Sequence, residues 1–212
     1  MCYDICMEKY VLDTNVFFNM EAGLDLGKTT KEVIANLSEF ARTLRGEKGI
    51  EFLMPPRIVD EFLSFFDTPQ ESYVQDFLSL VTVKSPHTHS LTFSAQVFYE
   101  LVNDIRLRSY RGLQIGEEEI GKAAQAFTGT EVLNKKDFQI KIGEHIRTFR
   151  DRYRNATRAG FLDSVADLDL IVLAKEVDGY VVSTDEGVIS WARMFGTKEM
   201  PLSTFRKRLT TA

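Results

Sequence analysis

Tyr10-Val11-Leu12-Asp13-Thr14-Asn15 is an apolar run that stops at a carboxylate followed by two small polar residues. Its aromatic and β-branched content reads as the end of a buried strand, too short to assign by periodicity. Two later stretches answer it: Phe161-Leu162-Asp163-Ser164-Val165-Ala166-Asp167-Leu168-Asp169 and Val181-Val182-Ser183-Thr184-Asp185. In an open α/β sheet the carboxyl ends of parallel strands face a common crevice. The expectation is that Asp13, the Asp163/Asp167 pair and Asp185 meet there.

The intervening chain alternates strands and helices. Thr29-Thr30-Lys31-Glu32 fits a capping box with Thr29 as N-cap. The helix after it carries Val33, Ile34, Leu37, Ala41 and Leu44 on one face, with Gly46 suited to end it. Ile50 to Met54 reads as a second strand, and Pro56 can open the next helix. That helix turns Ile58, Val59, Phe62, Leu63 and Phe66 inward and carries Glu61 in its second turn. Tyr73 to Leu80 reads as a helix and Val81 to Val83 as a third strand.

From Ser85 the pattern becomes helical: about Leu91 to Arg111, Glu117 to Phe127 and Lys135 to Arg158. The α/β alternation resumes with a helix from Asp163 to Glu176, a strand from Tyr180 to Ser183 and a helix from Val188 to Phe195. This predicts an α/β fold: a central parallel sheet flanked by helices, built from residues 8–84 and 160–212, with a helical arm inserted over residues 85–159.

Composition excludes several classes. Apolar content of 44% and charged content of 27% are ordinary for a globular chain of 212 residues. No apolar stretch reaches the ~20 residues a membrane span needs, so no membrane partner is expected. Residues 1–9 lack the basic and apolar regions of a secretory leader. Cys2 and Cys6 have no further ligands nearby, which argues for reduced thiols in a cytoplasmic protein. The net charge of −5 hides an asymmetry. Between Asn134 and Arg158 eight basic residues face three acids, so that stretch carries +5 and the remainder −10. Arg147, Arg150, Arg154 and Arg158 recur at helical spacing, roughly 120° from the stripe of Phe138, Ile142, Ile146, Phe149 and Tyr153. A charge run of this kind is often only a solvated face. It is also the footprint that phosphate contacts require.

The acids carry the chemistry. Asp163 and Asp167 are four residues apart on one helix face, and like charges there repel. A hard divalent cation, Mg²⁺ or Mn²⁺, offsets that repulsion because it takes several oxygen ligands. Two such ions can activate water and stabilise the leaving oxygen of a phosphodiester. Taken singly, Asp13 and Asp185 could be turn or helix caps, Asp163 a helix N-cap and Glu61 a surface acid. Asp169 points roughly 200° away from Asp167 on an ideal helix and ranks below the others. Their joint order favours a metal site. His87, His89 and His145 lie outside these motifs and receive no role.

That order resembles the PIN-domain nucleases. Their motifs are matched here by Asp13-Thr14-Asn15, Glu61, Asp163 with Asp167, and Ser183-Thr184-Asp185. The resemblance implies that Asp13, Glu61, Asp163, Asp167 and Asp185 bind Mg²⁺ or Mn²⁺, with Thr14, Asn15 and Ser183 orienting them. The basic helical arm before Asp163 is most similar to the minimal prokaryotic protein-only (RNA-free) ribonuclease P family, from Tyr10 onward. That family implies removal of the 5′ leader from precursor tRNA, leaving a 5′-phosphate, without a catalytic RNA subunit. It further implies a homo-oligomer built through the arm, with Arg147, Arg150, Arg152, Arg154 and Arg158 as candidate RNA contacts. Two rivals stay open here: a toxin-type PIN ribonuclease cutting other RNA, and a non-catalytic RNA-binding PIN scaffold.

Overall fold

The computed structural model describes residues 7–19, 26–47, 49–89, 91–158, 160–162 and 164–210. Cys2, Cys6 and Asp163 therefore lie outside the described residues. The chain divides into two compact units, Met1–Phe93 with Leu162–Ala212, and Ser94–Phe161. Residues 85–93, assigned by sequence to the helical arm, cluster with the first unit instead.

The first unit is built on a five-stranded sheet in the order β3-β2-β1-β4-β5, every pairing parallel. Its strands are β1 (Glu8–Leu12), β2 (Ile50–Met54), β3 (Thr82–Val83), β4 (Tyr180–Val182) and β5 (Lys198–Glu199). The central strand is covered on both faces, so Tyr10, Val11 and Leu12 are all apolar or aromatic and all buried. Tyr10 lies opposite Phe52 on one side and Tyr180 on the other. The chain first winds outward from β1 to β2 and β3, then returns to β4 on β1's other edge. This reversal opens the crevice between the carboxyl ends of β1 and β4.

Helices α1 (Asn15–Phe18), α2 (Thr30–Glu47), α3 (Pro56–Ser64), α4 (Ser72–Leu80), α7 (Val165–Glu176), α8 (Glu186–Met194) and α9 (Leu202–Thr210) complete this unit. The first turn of α2 is a modified capping box. Thr29 Oγ1 accepts from Glu32 N at 3.3 Å, while the Glu32 carboxylate takes the Lys28 N–H at 2.7 Å. The helix runs through Gly46, and Gly49 instead adopts the left-handed conformation, at φ 62°. Pro55 caps α3 with Pro56 at its first position, as the sequence predicts. Helix α7 starts at Val165, not Asp163, because the Ser164 side chain accepts the Asp167 N–H at 3.0 Å. Strand β5, α1 and α9 were not foreseen.

The second unit is an antiparallel hairpin of α5 (Gln96–Phe127) and α6 (Lys135–Arg158). The sequence suggested a break after Arg111, but α5 is continuous over 32 residues. Gly112 and Gly116, which lie in the gap between the two expected helices, serve packing. A Cβ on Gly112 would lie 2.7 Å from the Tyr153 ring, and one on Gly116 3.8 Å from that of Phe149. Phe127 against Phe138 closes the far end, with ring centroids 5.4 Å apart.

One glycine fixes how α7 delivers β4 to the sheet. Gly179 N donates to Ala174 O at 2.9 Å, and an added Cβ would meet Lys9 O at 2.7 Å. The obstacle is the backbone of the central strand, which cannot swing aside. Gly179→Ala is expected to destabilise the protein by about 1–3 kcal/mol. At about 2–4 °C per kcal/mol for a chain of this size, a thermal melt followed by circular dichroism resolves the loss.

Candidate active site

Asp13 follows the last residue of β1, where its N–H continues the ladder to Val182 O at 3.0 Å. The residue is only 3% exposed. Oδ2 accepts from Asn15 Nδ2 at 3.1 Å and from the Ser183 hydroxyl. Burial pushes the Asp13 carboxyl up from its ordinary value; these two bonds pull it back, and the nearby charge of Glu61 raises it again. The net direction is upward.

Thr14 links the two acids. Its hydroxyl lies 3.3 Å from Asp13 Oδ1 and 3.1 Å from Glu61 Oε1, and its single proton can serve only one of them. Helix α1, which follows Asp13, and α3, which carries Glu61, are pressed together by aromatic packing. Phe17 of α1 meets Phe62 of α3 with centroids 4.9 Å apart, and both reach Phe77 of α4. Apolar contact thus sets the placement of α1 against α3 beside the two carboxylates.

Ser183 ties the third motif to the first. Its hydroxyl donates to Asp13 and accepts the Asp185 N–H at 3.0 Å. Asp185 N-caps α8, Oδ1 taking the N–H groups of Gly187 and Val188 at 2.6 and 3.1 Å. Its cap role and its place in the motif coexist, because Oδ2 is not used by the cap. Thr184 accepts from Asn19 Nδ2 at 3.2 Å, a bond between α1 and the β4 loop that the sequence did not disclose.

Asp167 lies in the first turn of α7, half-buried. Asp169 is buried and receives Nη1 of Arg57 at 2.5 Å. This agrees with its turned-away position on the helix. Among the described residues no three metal-binding side chains converge on one point, and Asp163 is not among them. The donor set nonetheless fits a hard divalent cation. Asp13 and Glu61 are adjacent carboxylates, and the side-chain partners described for them are the neutral Ser183, Asn15 and Thr14. Buried charge without a counter-charge is costly unless a cation supplies it.

Comparison with known proteins decides the family. Residues 9–212 match the model of the PINc domain ribonucleases. A protein named RNA-free ribonuclease P from Pyrococcus horikoshii is 34% identical over 204 residues, 96% of this chain and 92% of its own length. One of the same name from Hyperthermus butylicus is 36% identical over 193 residues, covering 88% and 81%. Another from Nitrosococcus oceani is 35% identical over 192 residues, covering 91% and 89%. The chain belongs to the RNA-free ribonuclease P family.

A member of this family is a hydrolase, an endoribonuclease on a PIN domain, a class that works with divalent metal ions. In this RNA-free ribonuclease P relative the arginines of α6 divide into two groups. Arg147, Arg150, Arg154 and Arg158 are exposed. Arg152 is held inside the hairpin, Nη1 on Glu119 at 2.5 Å and Nη2 on Glu118 at 2.6 Å. Bonds from Lys122 and Arg152 hold the Glu119 carboxyl below its ordinary value. No helix among the described residues is long and apolar enough to cross a membrane.

The raised Asp13 gives a signed prediction for metal-free protein. A carboxyl whose folded pKa is raised binds more protons when native than when unfolded, so stability falls as pH rises between the two values. Asp13→Asn keeps the shape, removes the charge, and can turn its amide toward Thr14. Without metal, its Tm should exceed that of the parent at neutral pH, by about 2–4 °C for each 1 kcal/mol relieved. The gap should close on acidification into the ordinary carboxylate range. Differential scanning calorimetry in EDTA across that range checks both parts.

Proposed function

We propose that this protein removes the 5′ leader from precursor tRNA, leaving a 5′-phosphate on the mature end, without a catalytic RNA subunit. What carries the reading is the match to proteins named RNA-free ribonuclease P across 96% of the chain, hairpin included. A toxin-type PIN domain would account for the first unit and leave the basic hairpin unexplained.

In this reading Asp13, Glu61, Asp163, Asp167 and Asp185 hold Mg²⁺, with Mn²⁺ as a substitute. When bound, such ions supply Lewis acidity and a water ionised near neutral pH for attack on the phosphodiester. The protein's own part is orientation. Ser183 and Asn15 fix the Asp13 carboxylate, Thr14 sets its spacing from Glu61, and the α8 cap fixes Asp185. Such orienting groups generally carry 10–100-fold in metal affinity or activity. The reading is supported by the charge balance: the acidic site repels RNA unless cations neutralise it. Cleavage of a 5′-extended precursor tRNA should therefore cease in EDTA and return with Mg²⁺. Asp13→Asn and Asp185→Asn should each lower it on the order of 10²–10³-fold or more. A mutant that still processes the precursor in Mg²⁺ sinks the assignment.

The hairpin is the RNA-binding and oligomerising element in this proposal, with Arg147, Arg150, Arg154 and Arg158 facing phosphates in the cytoplasm. Arg152 serves the hairpin itself. Not all of the apolar surface of α5 is covered by α6. Phe98, Tyr99, Val102 and Ile120 of α5 are exposed, Ile120 at 72%. Exposed apolar side chains along one helix support self-association. Ile120→Lys should shift the protein to smaller species in sedimentation velocity while leaving the circular dichroism unchanged. A wild-type protein that is already a strict monomer contradicts the assembly.

A further inference from the structure

Beside the acid site is a cavity of about 320 Å³ that none of the motifs accounts for. Pro56, Arg57, Ser85, Pro86, Thr88 and Asp169 line it, all from the sheet-containing unit. Its roof is the segment after β3, which Glu176 of α7 secures at both ends. Lys84 Nζ reaches Oε1 at 2.7 Å, His87 N donates to Oε2 at 2.7 Å, and His87 Nδ1 meets Oε1 at 2.8 Å. Burial raises the Glu176 carboxyl, but Lys84 and the His87 contacts outweigh it and hold the group at about 2. These contacts fasten the chain on both sides of the Ser85-Pro86 step to α7.

Arg57 stands at the second position of α3, one helical turn before Glu61. Asp169 stands two residues past Asp167 on α7. Asp169 takes one Nη of Arg57 and so fixes the plane of the guanidinium. Arg57 remains more than half exposed, and among the described residues Asp169 is its sole hydrogen-bonding partner. The hydroxyls of Ser85 and Thr88 make no hydrogen bond among the described residues. A guanidinium with donors to spare and two unengaged hydroxyls around one cavity suit a tetrahedral oxyanion.

We propose that this cavity binds a phosphate of the RNA backbone adjacent to the one cleaved, with Arg57, Ser85 and Thr88 as its donors. The proposal rests on the reading of Asp13 and Glu61 as the cleavage site, because one turn of α3 separates Arg57 from Glu61. Asp169 then acts as a positioning residue: it aims Arg57 and joins α3 to α7. A phosphate held here would fix the register of the strand across the acids.

The test measures binding of precursor tRNA to the full-length protein, in an Asp13→Asn background to prevent cleavage, over a series of KCl concentrations. Arg57→Ala should weaken binding about tenfold, the scale of one hydrogen bond to a charged group. It should also lower the slope of log Kd against log[KCl] by about 0.7–0.9, the signature of one lost phosphate contact. Arg57→Lys should restore most of the slope. Ser85→Ala/Thr88→Val leaves the Arg57–Asp169 pair intact and should weaken binding roughly 3–10-fold at unchanged slope, the effect of losing neutral hydrogen bonds. If Arg57→Ala leaves the slope unchanged, or the Ser85/Thr88 variant binds as tightly as its parent, Arg57 is only a strut and the proposal is overturned. Failure of the cleavage reading would appear separately, as EDTA-resistant or Asp13-independent processing.

Discussion

A carboxylate buried at the end of the central strand sets the terms for this protein. Asp13 is removed from water, lies beside Glu61, and has neutral groups for its described partners. The Phe17, Phe62 and Phe77 cluster sets α1 against α3 beneath the two acids, each fully buried ring contributing about 1.5–3 kcal/mol of burial. The aromatic content beneath the site is thus the counterpart of the acids above it.

The topology explains why Asp13 and Ser183 can be neighbours across 170 residues of sequence. Strands β1 and β4 pair in parallel at the switch point, so the residues just past each strand face the same crevice. Gly179 permits the close approach to Lys9 that this pairing demands. The bond from Asn19 to Thr184 then fastens the two loops directly.

How much of this could be read from sequence depended on range. β1, β2 and the Pro56 start of α3 carried local signals, and they were legible. β5 was not, because Lys198-Glu199 is two charged residues long and is a strand only through its pairing with β4. The break expected inside α5 falls at Gly112 to Gly116, where two glycines have low helix propensity. Tertiary packing against Tyr153 and Phe149 overrode it. Helical geometry turned Asp169 away from Asp167, yet nothing local could name Arg57, 112 residues earlier, as its partner. Nor could spacing alone separate Arg152 from its neighbours in the arginine run. The distinction comes from Glu118 and Glu119 on the opposite helix.

A protein of net charge −5 can still be a nucleic-acid enzyme, because total charge is the wrong quantity to consider. At physiological salt the Debye length is about 8 Å, so a phosphate responds to the charges immediately around it. Around α6 those charges are predominantly positive. Around Asp13 and Glu61 they are negative, and no basic residue is described as pairing with either. In the function proposed above the cation serves twice, first letting the backbone approach and then promoting the chemistry. An arginine built into the acid site to do the first task would compete with the metal for the same carboxylates. Arg57 avoids this conflict, since its carboxylate partner is Asp169, the acid that faces away from Asp167.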